Sequence, residues 1–100
     1  MHGDKANKNK QLRTQIKIHL NRETTARLLS YAGYDVTSTY KLKIREERTP
    51  SASIARDGSI KDFGSGEHFS DIIALLHENR GMSLSDALVW TANCLGVADE

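Results

Sequence analysis

The chain has 100 residues, of which 38% are apolar and 27% charged, with a formal net charge of +1. This length suits one domain that buries about 60 to 65% of its unfolded surface and has little stability to spare. No apolar run approaches the roughly 20 residues of a membrane span, and the polar, basic amino terminus is unlike a secretory signal, which predicts a soluble cytoplasmic protein. The single cysteine, Cys94, excludes an internal disulfide and is expected to be a buried, reduced thiol.

Charge is distributed unevenly along the chain. Residues 1–61 contain 13 Lys/Arg and 6 Asp/Glu, a net charge of +7, whereas residues 62–100 contain 1 and 7, a net charge of −6. A basic segment of this kind favours an anionic partner, most commonly nucleic acid. Two oppositely charged solvated surfaces, which aid solubility or associate head to tail, explain the same asymmetry.

The amino-terminal region contains one ambiguous segment. Residues 1–10 lack apolar periodicity and are predicted to be a disordered basic tail, which leaves residues 11–100 as the single domain. Leu12, Ile16 and Leu20 fit one face of a helix, although the segment from Ile16 to Leu20 also fits strand alternation. We favour the helix.

A second helix is predicted from Arg22 to Ala32. Asn21 offers a side-chain oxygen as N-cap, and Gly33 can close the helix in the left-handed conformation. The aromatic residues Tyr31, Tyr34 and Trp90 occupy helical or helix-end positions, where packing in the core is more common than base stacking.

The segment from Thr39 to Arg45 alternates like an amphipathic strand. Tyr40, Leu42 and Ile44 fall on one face, and the cations fall on the other: Lys41, Lys43 and Arg45. Alternate side chains on a strand lie about 6.5 to 7 Å apart, so this row could follow the phosphates of an extended single strand. An edge strand protected from aggregation by lysines explains the row equally well.

A hairpin follows the break at Pro50, which has no N–H donor. Asp57-Gly58 predicts a two-residue type I′ turn, because both positions of that turn require positive φ. This register pairs Ile54 with Lys61 and Ala52 with Phe63, and it brings Arg56 and Lys61 close to the basic strand. Phe63 then either flanks the basic surface or fills the core beneath it.

Two helices complete the chain. The first is predicted to begin after Ser70 as N-cap and to stop at Asn79-Arg80-Gly81. The second is predicted to begin after Ser83, with Asp86 at the third position in the manner of a capping box, and to end at Gly96.

The order of these segments resembles the zinc-binding domain of bacterial DnaG-type primases. The resemblance rests on REERTPSAS (Arg45 to Ser53), DFGSG (Asp62 to Gly66) and the following SDIIALLHENRG. In that family Cys-x-x-His-x-Glu-Lys-Thr-Pro-Ser leads into a hairpin, a Cys-x-Gly-Cys-Gly-like segment and two helices. Registered on Thr49-Pro50-Ser51 and Phe63-Gly64, the family's ligand positions fall on Leu42, Arg45, Asp62 and Ser65, which cannot rebuild a Cys-Cys-Cys-His site.

The resemblance covers roughly residues 38–97 and implies an α+β fold. The expected structure is a small three-stranded antiparallel sheet, like a zinc ribbon without zinc, packed with one or two amino-terminal helices and two carboxy-terminal helices. A structural zinc contributes on the order of 10 kcal/mol to folding, and apolar packing at Leu42 is expected to replace most of it. An ion pair between Arg45 and Asp62 would add about 1 kcal/mol or less. No cofactor is expected, and no metal either, because His68 and His77 lack the spacing of zinc ligands.

These features together predict a non-catalytic module that binds single-stranded DNA or RNA. The resemblance implies a primase-associated or primase-derived role in the replication of a mobile element or phage, with a primase, polymerase or helicase as a partner. Arg48 occupies the basic position of the family's Glu-Lys-Thr-Pro-Ser motif, and Phe63 would stack on a base. The predicted contact residues are Lys41, Lys43, Arg45, Arg48, Arg56, Lys61 and Phe63.

Two other classes of function are a protein-interaction module and an enzyme. A protein-interaction module would dock to a replication enzyme or another protein through its acidic helices, with the basic face serving only solubility. An enzyme is not expected, since no nucleophile and base stand together in the sequence. The sequence sets neither a preference for DNA over RNA nor an oligomeric state.

Overall fold

A computed structural model of the chain describes residues 2–44 and 51–97, with side chains from Asn9 onward. Four helices and one antiparallel sheet make up this part of the chain, which confirms the α+β class. The sheet has four short strands, one more than predicted. The helices are α1 (His2–His19), α2 (Arg22–Tyr31), α3 (Ile72–Arg80) and α4 (Leu84–Leu95), and the strands are β1 (Lys41–Leu42), β2 (Ala52–Ile54), β3 (Ile60–Asp62) and β4 (His68–Phe69).

Helix α1 is longer than the sequence indicated. The sequence predicts a disordered basic tail over residues 1–10, whereas the helix in the structure begins at His2. Once one turn of a helix is held by packing, each further residue adds a backbone hydrogen bond, so the polar end continues the helix. Leu12, Ile16 and Leu20 are buried while Ile18 is 75% exposed, which confirms the helical interpretation of this segment.

Helix α2 begins at the predicted cap. The Asn21 side chain accepts a hydrogen bond from the Thr24 backbone N–H, and the Thr24 hydroxyl accepts one from the Asn21 N–H, both at 2.9 Å. This reciprocal pair satisfies two N–H groups that the first turn leaves free. After the helix, Gly33 has a φ of +99°, the left-handed conformation predicted for it.

The hairpin register differs from the prediction by one residue. Ile54 pairs with Ile60 and Ala52 with Asp62, because the strands are joined by a three-residue loop. The Gly58 N–H donates to the Ala55 carbonyl at 3.0 Å, and Gly58 takes a φ of +90° while Asp57 does not take a positive φ. A type I turn followed by a left-handed glycine has this form, and it is the commonest alternative to the two-residue turn.

The fourth strand, β4, was not predicted. It pairs antiparallel with β3, placing Phe69 opposite Ile60 and His68 opposite Lys61. This strand has only two residues and follows a glycine-rich turn, so the sequence shows no alternation from which it could be predicted. Phe69 is buried and closes one end of the core, so the sheet gains both an edge and an aromatic core residue.

The predicted N-cap is correct for α4 but wrong for α3. The N-cap of α3 is Asp71 and not Ser70: its carboxylate accepts a hydrogen bond from the Ala74 N–H at 2.9 Å. Ser83 caps α4 as predicted, accepting from the Asp86 N–H at 3.1 Å. Both helices end at left-handed glycines, as predicted.

The core lies between the helices and one face of the sheet. Tyr34 is buried in it and Trp90 is partly buried, but Tyr31 is 64% exposed, which corrects the prediction of core packing for that residue.

Cys94 is also exposed, contrary to prediction, because it lies in an open depression between α2 and α4. Partial desolvation there raises the pKa of its thiol. Within residues 2–44 and 51–97, no helix is both long and apolar enough to cross a membrane.

Candidate nucleic-acid interface

The face of the sheet opposite the core carries a row of polar side chains. Strand pairing places Lys41, Ser53, Lys61 and His68 side by side, one from each strand. Their neighbours along each strand are buried, so these four point away from the core. With strands about 4.8 Å apart, the row extends about 14 Å across the sheet. We call it the basic row.

Phe63 lies beside the basic row with most of its ring in solvent. It is 67% exposed, and the Lys61 ammonium lies 5.3 Å from the centre of its ring. Of the two positions considered for Phe63, the structure therefore shows the one that flanks the basic surface, while Phe69 fills the core. An exposed ring next to a cation provides the two contacts that single-stranded nucleic acid uses, one for a base and one for a phosphate.

A buried carboxylate holds the turn that presents Phe63. Asp62 is 0% exposed, and its Oδ1 accepts hydrogen bonds from the Ser51 hydroxyl and the Gly64 N–H, both at 2.9 Å. Its Oδ2 accepts one from the Ser65 hydroxyl at 3.0 Å. A buried carboxyl group is tolerated when it accepts several hydrogen bonds of this kind, and the network fixes the backbone on both sides of Phe63.

Three of the four positions aligned with zinc ligands lie in the described structure. Leu42 is 0% exposed, as expected for apolar packing in place of a ligand, and Asp62 and Ser65 are hydrogen-bonded to each other. Leu42, Ala52 and Asp62 also stand in register on the buried face of the sheet. The fourth position, Arg45, and with it the predicted ion pair to Asp62, lies outside the described residues. In the described part of the chain, no group of three or more His, Cys, Asp or Glu could hold a metal ion.

The other predicted contact residues are distributed around this face. The alternation predicted from Thr39 to Arg45 is present from Lys41 to Ile44, but β1 ends at Leu42, so the cations run across the sheet and do not follow one strand. Lys43 is half-buried just past the end of β1, and Arg56 is exposed in the loop between β2 and β3. Arg45 and Arg48 lie outside the described residues.

Sequence reasoning missed two members of the basic row. Ser53 and His68 were overlooked because the predicted register paired Lys61 with Ile54 and because β4 was not recognised. Alternation within each strand gives the exposed positions, but only the pairing between strands shows which of them are neighbours.

Tyr40 adjoins the Lys41 end of the row in an unusual backbone conformation. Its φ of +62° is rare for a residue with a side chain. The Arg22 guanidinium lies 5.3 Å from the centre of the Tyr40 ring, and its Nε donates to the Ile54 carbonyl at 3.1 Å. Arg22 thus fixes the half-buried ring next to Lys41.

Acidic groups reduce the positive charge at the His68 end of the basic row. Hydrogen bonds from Ser59 lower the pKa of Asp57, and the charge of His68 adds a smaller effect in the same direction. Asp57 is therefore ionised at neutral pH and places negative charge near the His68 end of the row, where Glu67 is also exposed. The Lys41 and Lys61 positions consequently form the more positive part of the row.

Some of the basic residues of the amino-terminal half are neutralised within the fold. Arg13 and Lys17 on α1 lie 3.0 Å and 3.8 Å from the carboxylate of Asp71, in the acidic half of the chain. The charge asymmetry along the sequence is therefore partly cancelled in space. Within residues 9–44 and 51–97, Lys41 and Lys61 of the basic row form no ion pair.

Comparison of the chain with protein-family models, with curated proteins and with solved structures gave no match.

Proposed function

We propose that this protein binds single-stranded nucleic acid, without catalysing a reaction, through the basic row and Phe63. The observation that carries the proposal is the exposed Phe63 ring beside Lys61 on a sheet face that is open in the described structure. Lys41 and Lys61 would neutralise phosphates, with Lys43 and Arg56 at the borders of the same face. Arg45 and Arg48 belong to the proposed contact set from the sequence alone.

The geometry favours a single strand over a duplex. An aromatic ring that lies on an open sheet stacks on a base only if that base is unpaired and turned out of its own helix. Phe63 has no such partner in a duplex, whose bases are stacked on one another. Lysines spaced across the sheet suit a flexible phosphate backbone that adapts to them.

The resemblance to the primase zinc-binding domain suggests the biological setting. We propose a primase-associated or primase-derived module acting in the cytoplasm, in the replication of a mobile element or phage. Its ligand would be single-stranded DNA or RNA, and its protein partner a primase, polymerase or helicase. The hydrogen-bonded Asp62 turn and the buried Leu42 would then support the sheet without a metal.

The first prediction is tested by a salt titration of binding to fluorescent single-stranded and duplex oligonucleotides. We expect binding to the single strand to weaken with salt, with a slope of about 0.7 per phosphate contacted. Lys61→Glu should reduce that slope by about 0.7 or more, because it removes one phosphate contact. Phe63→Ala should weaken binding by at least about fivefold, the lower end of the effect of losing one stacked base.

Ile18→Ala is the matched control, since Ile18 is a comparably exposed apolar residue on α1, outside the sheet. It should leave affinity unchanged. The proposal is wrong if no binding occurs at low salt, if Phe63→Ala behaves like Ile18→Ala, or if the duplex binds as tightly as the single strand.

A protein-interaction function remains the second candidate, and a specific observation favours it. Two depressions between the helices lie apart from the basic row, and their lining includes the exposed Tyr31 and the partly buried Met82 and Trp90. This surface does not require the sheet face, so the two functions can coexist.

A further inference from the structure

Two adjoining depressions open on the helical side of the protein. They share Tyr31, which lies between them with 64% of its surface exposed. One has a volume of about 260 Å³ and the other about 350 Å³. We call the pair the Tyr31 groove; it is lined by His19, Thr24, Arg27, Leu28, Cys94 and Leu95 on one side of Tyr31 and by Ala32, Leu76, Arg80, Met82 and Trp90 on the other.

The size and composition of the groove suit protein side chains. The volumes of about 260 and 350 Å³ lie just below and at the lower end of the range for small-molecule sites, and both are large enough to admit a side chain. Tyr, Trp, Met and Arg are the residue types enriched at protein interfaces, and all four occur here. Tyr31 exposes a large ring that no described residue covers.

The charge of the groove indicates the kind of partner. No Asp or Glu is among its described lining residues, whereas Arg27 and Arg80 are. Within the described structure neither arginine has a carboxylate partner. Arg80 is held in place, because it donates to the Ala32 carbonyl at 2.6 Å and its guanidinium lies 4.6 Å from the centre of the Tyr34 ring. A fixed, unpaired cation beside an apolar depression complements an acidic ligand with apolar side chains.

We propose that the Tyr31 groove binds an acidic peptide segment of a partner protein. An apolar side chain of the peptide would enter the depression that Trp90 lines, beside Tyr31, and the carboxylates of the peptide would face Arg27 and Arg80. Nucleic acid fits this surface less well, because the depression beside Arg80 is lined mostly by apolar side chains: Ala32, Leu76, Met82 and Trp90. The proposal is independent of nucleic-acid binding by the sheet.

The experiment begins with two display libraries of short peptides, selected against the full chain. Both carry variable apolar positions, but one has Asp and Glu at the remaining positions and the other has Lys and Arg. We expect enrichment from the acidic library only. A selected acidic peptide, labelled with a fluorophore, then serves as the probe.

Variants locate the bound peptide. Tyr31→Ala should weaken its affinity by at least about tenfold, as expected for an anchor at the centre of an interface. Arg27→Glu should weaken binding most at low salt, because exposed charges act over longer distances there. Ile18→Ala is the control for loss of an exposed apolar side chain, and Lys61→Glu is the control for the sheet face; both should leave the peptide affinity unchanged.

Cys94 provides a second readout. It is the single cysteine of the chain and it lines the groove, so bound peptide should slow its alkylation in the wild type but much less in Tyr31→Ala at the same peptide concentration.

Four results would overturn the proposal. The acidic and basic libraries could be enriched equally, or the selected peptide could bind Tyr31→Ala unchanged without protecting Cys94. Sedimentation could show a dimer that Tyr31→Ala dissociates, which would make a second copy the occupant. Finally, Arg27→Glu could abolish oligonucleotide binding without any effect on peptide binding, which would assign the groove to nucleic acid.

Discussion

Gly58 is constrained by a contact that lies far away in the sequence. It has a φ of +90°, and a Cβ at this position would lie 2.8 Å from the Thr25 hydroxyl and 3.4 Å from Leu20 Cβ. The loop between β2 and β3 therefore packs closely on the junction of α1 and α2. The Thr25 hydroxyl is buried there and has no hydrogen-bond partner among the described residues, so this contact is steric.

Gly58→Ala should destabilise the protein more than Gly66→Ala. Both glycines have positive φ, but a Cβ at Gly66 would meet nothing within 4 Å. Gly66→Ala should thus cost about 1 to 2 kcal/mol for the left-handed backbone alone. Gly58→Ala should cost about 1 to 3 kcal/mol more, because the neighbouring residues must shift to admit the methyl group.

Urea unfolding of both variants measures the difference. Equal losses of stability would contradict the proposed close approach of the loop to Thr25. At the scale of single residues, the sequence correctly placed a turn at Asp57-Gly58 but could not show why the second residue must lack a side chain. That requirement comes from Thr25, which is distant in sequence.

At the scale of secondary-structure elements, the start of α3 is tied to α1. Asp71 is 2% exposed and accepts two hydrogen bonds from Arg13, at 3.2 Å to Oδ2 and 3.0 Å to Oδ1. Its Oδ1 also caps α3 through the Ala74 N–H. One carboxylate thus joins a local cap to a contact between two helices, and Lys17 adds a longer ion pair.

Substitutions at Asp71 should separate these two roles. Asp71→Asn keeps an oxygen for the cap but loses the charge, and we expect a loss of about 1 to 2 kcal/mol from the weakened bonds to Arg13. Asp71→Ala removes both the capping oxygen and the charge, and it should lower the free energy of unfolding by about 2 to 4 kcal/mol. Ser83→Ala is the control for a cap without an ion pair and should cost about 1 kcal/mol.

Chemical denaturation gives these free energies of unfolding. If Asp71→Ala cost no more than Ser83→Ala, the contact with α1 would contribute nothing to stability. A loss for Asp71→Asn as large as that for Asp71→Ala would show that the cap contributes little.

Helix starts were predicted best where the residues that set them lie within one helical turn of each other. The caps at Asn21 and Ser83 depend on residues within one turn, and both predictions were correct. Ser70 and Asp71 are both good capping residues, and the contact with Arg13 favours Asp71. The hairpin register failed because Asp57-Gly58 fits both a two-residue and a three-residue loop.

At the scale of the whole molecule, packing and hydrogen bonds occupy positions that align with the zinc ligands of the primase zinc-binding domain. The buried Leu42 and the hydrogen-bonded Asp62 lie in register with Ala52 across the sheet. Leu42 has no atom that can bind a metal, and the oxygens of Asp62 already accept hydrogen bonds from Ser51, Gly64 and Ser65. The stability of the fold should therefore be independent of zinc.

This prediction is tested by thermal unfolding with a chelator, with added zinc and with neither. We expect the same midpoint in all three, whereas a structural zinc site worth on the order of 10 kcal/mol would leave the chelated protein unfolded. Asp62→Ala should lower the midpoint, since it leaves the donors of Ser51, Gly64 and Ser65 without their acceptor. Asp62→Asn should lower it less, because it keeps one acceptor oxygen. A midpoint that falls with the chelator would contradict the prediction.

The sequence by itself determined the α+β class, the starts of α2 and α4, the glycine helix ends and the exposed position of Lys41. These follow from interactions between residues close in the chain, such as caps, turns and periodicity. Only the tertiary structure decided the hairpin register, the fourth strand, the exposure of Tyr31 and the alignment of the basic row. The physical reason is that strand neighbours and helix contacts depend on residues distant in sequence, whose packing selects among local alternatives of similar energy.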